Sequence, residues 1–133
     1  MIVGIGCDIV AVARIRSAID SHGARFLHRV YSEKERSYAE YKKDPLLRYA
    51  KYWAAKEAGY KALSLPRPSG ISWQDLQVEY LPSGQPFLMI GDRVSHRLYA
   101  QHGPGEYRLH LSMSDEVAHA IAFATLERTI TSR

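Results

Sequence analysis

The sequence predicts a single α+β domain over residues 1–133, an antiparallel sheet with one long helix and several shorter ones. Three observations lead there. The chain opens on a strand pattern, runs through helical patterns to about residue 63, and then turns to short strands interrupted by one helix. That order segregates strands from helices instead of alternating them. Its 133 residues suit one hydrophobic core and are too few for two, and no internal repeat or linker-like stretch divides them.

Residues 2–10 read as a strand with Val3, Ile5, Cys7 and Ile9 on one face and Ile2, Gly4, Gly6, Asp8 and Val10 on the other. Glycines inside a strand mark a place where another backbone or a ligand comes close, and a helix packed tightly on the sheet is the simpler reason. Short helices follow over 11–20 and 24–30, separated by His22-Gly23. Ser32 with Glu35 forms a capping box that opens a helix over about 33–42. Asp44-Pro45 starts the longest helix as N-cap and first-turn proline. Its apolar positions Leu46, Leu47, Ala50, Trp53, Ala54, Ala58 and Ala62 keep helical spacing to about Leu63, before Pro66 and Pro68 stop it. Strands are expected around 75–81 and 86–90, joined by a turn at Pro82-Ser-Gly-Gln-Pro86. A helix over about 91–102 ends at His102-Gly103-Pro104-Gly105, and strands over about 106–113 and 117–127 complete the chain.

The composition, 46% hydrophobic and 24% charged, is that of a folded globular protein and lies outside the disordered class. A net charge of +4 favours anionic partners: phosphates, nucleic acid or an acidic protein. The basic residues are dispersed, Arg14, Arg16, Arg25, Arg29, Lys34 and Arg36 among them, so a folded basic face is expected and not a nucleic-acid tail. One cysteine, Cys7, permits no internal disulfide, and with no Cys-His cluster beside it a structural zinc site is not expected. The opening Met1-Ile-Val-Gly-Ile-Gly-Cys-Asp8 lacks the basic region of a signal peptide, and no apolar run approaches the roughly 18 residues of a membrane helix. A cytoplasmic protein with no membrane association is expected.

The long helix carries Trp53-Ala-Ala-Lys56-Glu57-Ala58-Gly59-Tyr60-Lys61-Ala62, in which Glu57 and Lys61 are four apart and share a face. A surface ion pair is the plainer reading of such a pair. Here the surrounding Trp53, Ala54, Ala58 and Ala62 set it at the edge of a buried stripe, where a ligand becomes a reason for it. Asp8 adds a second carboxylate from a glycine-lined strand, although an aspartate there also serves as a turn or cap residue. Two carboxylates and a lysine match the needs of a magnesium-bound pyrophosphate. Mg²⁺ takes oxygen ligands, keeps several waters and completes its shell with substrate phosphate oxygens. The lysine neutralises charge on the phosphate under attack.

Two segments then resemble one family. Gly4-Ile5-Gly6-Cys7-Asp8-Ile9-Val10 followed by Arg14-Ile15 is similar to the opening of the holo-acyl-carrier-protein synthases, small bacterial members of the 4′-phosphopantetheinyl transferase superfamily. Trp53-Ala-Ala-Lys56-Glu57-Ala58 with Lys61-Ala62 resembles their F/W-A-x-K-E-A-x-x-K-A signature. Arg29-Val30-Tyr31-Ser32 with Glu35, the turn Gly84-Gln85-Pro86, and Leu111-Ser112-Met113-Ser114 echo the family more weakly.

The resemblance implies transfer of 4′-phosphopantetheine from coenzyme A, as substrate, to a serine of an acidic acyl-carrier protein. It implies catalytic roles for Asp8, Glu57 and Lys61, Mg²⁺ held by Asp8 and Glu57, and coenzyme A contacts from Lys61, Gly84, Pro86 and Ser112. It also implies carrier docking on a basic face that includes Arg14, and a homotrimer with the coenzyme A site between neighbouring subunits. Nucleic acid is not an expected partner.

Three places depart from the family pattern. Tyr52, beside Lys51, stands where an arginine commonly precedes the signature. Ser64-Leu-Pro-Arg67-Pro-Ser-Gly70 replaces a glycine-containing loop, with Arg67 a candidate to compensate for lost phosphate contacts. Asp115 stands where many members carry histidine, which removes one candidate base; neither His110 nor His119 is assigned that role. The competing readings are a Mg²⁺-dependent nucleotide pyrophosphate hydrolase, for which the acidic ligands are few, and an RNA-binding module, which no aromatic-basic motif supports.

Overall fold

The computed structural model describes residues 1–66 and 70–130; Arg67 lies outside the described residues. In chain order the elements are β1 (Ile2–Ala11), α1 (Val12–His22), α2 (Ala24–Val30), α3 (Glu33–Glu40), α4 (Pro45–Leu63), a 3-10 turn (Trp73–Asp75), β2 (Leu76–Tyr80), β3 (Pro86–Ile90), α5 (Asp92–His102), β4 (Glu106–Asp115) and β5 (His119–Thr129). The expected elements are all present, with ends displaced by a residue or two. The start signals read from the sequence act as expected. Ser32 Oγ accepts from Glu35 N–H at 3.1 Å while Ser32 N–H donates to Glu35 Oε1 at 2.8 Å, and Asp44 Oδ1 accepts from Leu47 N–H at 3.2 Å with Pro45 in the first turn of α4.

The five strands form one sheet in the order β1-β5-β4-β3-β2, every neighbouring pair antiparallel. Helix α4 lies across β1, β5 and β4. The side chains at that junction are small: Ala54, Ala55, Ala58 and Ala62 from the helix, and Ala120, Ala122 and Ala124 from β5, all buried. Small residues on both surfaces let the backbones approach, which is what the glycines of β1 complete. Larger side chains, Leu76, Val78, Leu88, Leu98 and Leu109, fill the core toward β2, β3 and α5.

The alternation in β1 faces opposite to a simple hydrophobic-in pattern. Gly4, Gly6, Asp8 and Val10 face α4, while Ile5 and Ile9 are 73% and 62% exposed and Cys7 is exposed with them. Val3 leaves the apolar row because the register with β5 shifts between Ile2 and Gly4, and it packs on the core. Of the tyrosines in and beside α3 and α4, Tyr49 and Tyr52 are buried and Tyr38 lies edge-on to Tyr80, whereas Tyr41 is exposed at the end of α3.

Candidate active site

A side chain at Gly4 would collide with the carbonyl oxygen of Ala62, and one at Gly6 with that of Ala58. The two glycines therefore set how closely β1 and α4 lie. Two strand residues advance about one helical turn along α4, so the next inward residue, Asp8, comes beside the turn that carries residues 54–57. Lys61 reaches back along this seam: its Nζ donates to the Cys7 carbonyl at 2.9 Å and lies 3.2 Å from Asp8 Oδ1. Asp8 is mostly covered and Lys61 half exposed, so the pair stands at the edge of the seam, where solvent reaches the lysine.

Glu57 lies one turn before Lys61 on α4, half-buried. With Asp75 and Glu35 it adds to the burial that pushes the Tyr60 phenol well above its usual range. Tyr60 thus stays protonated and donates to the Ser72 carbonyl. Asp8 beside the Lys61 ammonium, with Glu57 one turn away on α4, offers two candidate carboxylates for a metal. Among the described residues no third carboxylate, histidine or cysteine joins a metal-ligand cluster. A donor set this small suits Mg²⁺, which takes one or two protein carboxylates and fills the remaining positions with water and substrate phosphates.

The other expected residues lie elsewhere in the chain. Gly84 is exposed in the β2–β3 turn, at φ 91°, where its N–H donates to the Leu81 carbonyl at 2.8 Å; Pro86 begins β3. That hairpin is on the opposite side of the sheet order from β1. Ser112 is exposed on β4, in register with Phe123 and, through it, Cys7, so it points from the face opposite Asp8. Within one chain, then, Asp8 and Lys61 meet, with Glu57 one turn before Lys61 on α4, while Gly84, Pro86 and Ser112 do not join them. Arg14 is exposed on α1, with its guanidinium carbon 5.7 Å from the centroid of the Trp53 ring.

Several neighbours of the site were not assigned from sequence. Lys56, inside the signature, turns away from Glu57 and is fully buried. Its Nζ donates to Glu35 Oε1 at 2.9 Å, to the Leu76 carbonyl at 2.7 Å and to the Trp73 carbonyl at 3.0 Å. The signal was its place on the same buried stripe as Tyr52, Gly59 and Leu63, and the partner was hidden in a residue read only as a cap. Trp53 stacks 4.4 Å from Trp73 and 5.9 Å from Phe26, which joins α4, the 3-10 turn and α2 in one aromatic wall. Two of the departures explain themselves. Tyr52 is buried, its hydroxyl 2.8 Å from that of Tyr80, and burial followed by that hydrogen bond pushes its phenol well up. Asp115 meets Lys51 at 3.0 Å, so its charge is balanced within the chain. His110 and His119 each sit beside a glutamate, Glu127 at 2.8 Å and Glu116 at 3.4 Å.

Comparison with known proteins gives a consistent result. A family model described as the 4′-phosphopantetheinyl transferase superfamily matches residues 4–122. The holo-[acyl-carrier-protein] synthase of Roseobacter denitrificans is 41% identical over 128 residues, covering 96% of each chain. That of Methylobacterium radiotolerans is 40% identical over 131 residues, covering 96% of this chain and 94% of its own. Among solved structures, the holo-[acyl-carrier-protein] synthase of Neisseria meningitidis superposes with a TM-score of 0.83 at 32% identity, over 96% of this chain and 100% of that one. The Helicobacter pylori enzyme, solved in complex with coenzyme A, gives 0.78 at 26% identity over 92% and 99%.

Proposed function

The chain belongs to the 4′-phosphopantetheinyl transferase superfamily, and from that premise we propose that it transfers 4′-phosphopantetheine from coenzyme A to a serine of an apo-acyl-carrier protein. The products are holo-carrier and 3′,5′-ADP. The observation that carries the reading is the convergence of Asp8 and Lys61, 3.2 Å apart across the glycine seam, with Glu57 one turn along the same helix. Relatives that share nearly the whole chain bear the name of this reaction, and a structural neighbour holds coenzyme A.

In the reaction the serine oxygen forms a bond to the phosphorus that bears the pantetheine arm. The bond from that phosphorus to the oxygen of 3′,5′-ADP breaks, the serine proton is lost, and the leaving phosphate keeps the electron pair. Asp8 and Glu57 are the residues that would hold Mg²⁺, whose role when bound is to offset charge on the pyrophosphate oxygens. Lys61 brings a positive charge to the edge of the seam, where it orients the pyrophosphate and stabilises charge as the bond breaks. The backbone contact to Cys7 and the ion pair to Asp8 hold its ammonium there before substrate arrives. Arg14 belongs to the basic face that receives the acidic carrier.

Gly84, Pro86 and Ser112 enter the reading through a second copy. The face that carries Ser112 also exposes Ile5, Ile9 and Phe123. In a homotrimer a neighbour's Gly84, Pro86 and Ser112 complete the coenzyme A cleft. The same reading puts the protein in the cytoplasm, where a lone Cys7 remains a thiol.

The test is the intact mass of an apo carrier incubated with the protein, coenzyme A and Mg²⁺. A phosphopantetheine adduct is expected, with loss of transfer by at least about a hundredfold in Asp8→Ala and Glu57→Ala that stay folded. No adduct with any of several carriers defeats the reading. Nucleotide hydrolysis without carrier turns it toward a hydrolase, and normal transfer by either variant removes that carboxylate from the metal site.

A further inference from the structure

Resting on the carrier-protein reading above, we propose that Trp53 is a positioning residue for the carrier. Its ring supports the face of the Arg14 guanidinium, so that Arg14 offers its N–H groups to a partner's carboxylate one helical turn from Glu57.

The geometry has three parts. First, the 5.7 Å from the Arg14 guanidinium carbon to the Trp53 ring centroid is within reach of a cation–π contact. An arginine that stacks through its face keeps its donors in the plane and available. Among the described residues Arg14 has neither ion pair nor hydrogen bond to occupy them. Second, Trp53 is itself held. Trp73 lies 4.4 Å away at 31° on one side and Phe26 at 5.9 Å and 29°, and Trp73 is anchored through its carbonyl by Lys56 Nζ at 3.0 Å. The platform under Arg14 is therefore a partly buried ring packed against the core and not a free surface side chain. Third, Trp53, Glu57 and Lys61 repeat every four residues along α4 and share one face. The support for the docking cation and the candidate catalytic residues are thus built on one rigid element.

The partner that fits is acidic. Residues 12–30 carry Arg14, Arg16, Arg25 and Arg29 against Asp20 alone. An arginine already held on a ring loses less freedom on binding a carboxylate than one free in solvent, which favours association without altering the chemical step. Loss of the platform should therefore raise the carrier's KM and leave that of coenzyme A in place. A merely structural tryptophan would instead lower kcat and thermal stability, with no KM effect particular to the carrier.

The experiment compares wild type, Trp53→Leu, Trp53→Phe, Arg14→Ala and the double variant Arg14→Ala/Trp53→Leu. For Trp53→Leu we expect a carrier KM raised about three- to fivefold, the range a half-exposed cation–π contact supplies. Trp53→Phe should recover part of it, the coenzyme A KM should stay within about twofold, and the double variant should be no worse than Arg14→Ala. Effects of Trp53 and Arg14 that multiply independently, or a Trp53→Leu defect confined to kcat, would overturn the proposal. Should the leucine variant fold poorly, tetrafluorotryptophan introduced at position 53 alone keeps the ring's size and removes its negative face; an unchanged carrier KM there also overturns it. Calorimetric binding of the apo carrier without coenzyme A separates this inference from the transfer reading. Trp53-dependent affinity without transfer by the wild type would defeat only the transfer reading, and loss of both would defeat both.

Discussion

Lys56 stands next to the candidate carboxylate Glu57 and points the other way, into a place where neither it nor Glu35 has any solvent exposure. Burial pulls the lysine below its ordinary range, against the attraction of Glu35. The polar atoms of the pair are saturated: two backbone carbonyls accept from Lys56, and Glu35 accepts from the N–H groups of Ser32 at 2.8 Å and Val78 at 2.6 Å. The pair thereby ties α3, α4, the 3-10 turn and β2 together. Lys56→Met leaves a buried charge without its partner and should cost about 3–5 kcal/mol. Lys56→Met/Glu35→Gln, which removes that charge and keeps one amide oxygen as acceptor, should recover part of the loss in urea unfolding. A cost below about 1 kcal/mol for the single variant would mean the pair holds nothing together. Only half of this was legible in the sequence. Ser32 and Glu35 announce a helix start through local spacing, but Glu35 meets Lys56 from a different helix, and no local pattern carries that encounter.

At the scale of elements, the seam between β1 and α4 decides where the candidate residues stand. Gly6 has the Ala58 carbonyl on the inward side, with Lys61 Cβ and the Ala62 amide beside it, all parts of a rigid helix. A methyl group has no side chain to displace there, so the strand or the helix must move. Gly6→Ala should cost about 1–3 kcal/mol or more in thermal or urea unfolding and depress transfer further than stability alone explains, because Lys61 then sits farther from Asp8. Unchanged activity in a folded Gly6→Ala would show that the seam's width does not set the site. The strand, the glycines within it and the long helix were readable from alternation, from Asp44-Pro45 and from helical spacing, and Asp8, Glu57 and Lys61 were legible as candidates. A helix packed tightly on the glycines of β1 was legible too, and α4 lies there; what was not legible is that Ile5, Cys7 and Ile9, the more apolar row, are left exposed. The aromatic wall was hidden for a related reason: Phe26, Trp53 and Trp73 come from three elements whose mutual approach depends on the finished fold.

For the whole molecule, the same strand that gives its glycine face to the helix gives its apolar face to solvent. Ile9, Ile121 and Ser114 form one row across β1, β5 and β4; Cys7, Phe123 and Ser112 form the next; Ile5, Thr125 and His110 the one after. Phe123 is 54% exposed at the middle of this surface, with Ile5 and Ile9 more exposed still. A sheet face that exposes Ile5, Ile9 and Phe123 is a candidate for association, and Ser112 lies on it, on the opposite side of the sheet from Asp8. If a neighbouring copy covers this face, assembly and transfer depend on the same residue. Phe123→Asp puts a charge where the interface would exclude water, while its side chain in the isolated chain points outward and leaves the core of α4 and β5 untouched. Light scattering should therefore find the wild type at three times the chain's 15.1 kDa. The variant should run as single chains with unchanged far-UV circular dichroism, and transfer should be lost because the coenzyme A cleft is halved. A wild type that runs as a single chain and still transfers would remove the trimer, and with it the roles given to Gly84, Pro86 and Ser112. A single-chain Phe123→Asp with full activity would separate assembly from catalysis and leave Asp8, Glu57 and Lys61 as a site complete in one chain.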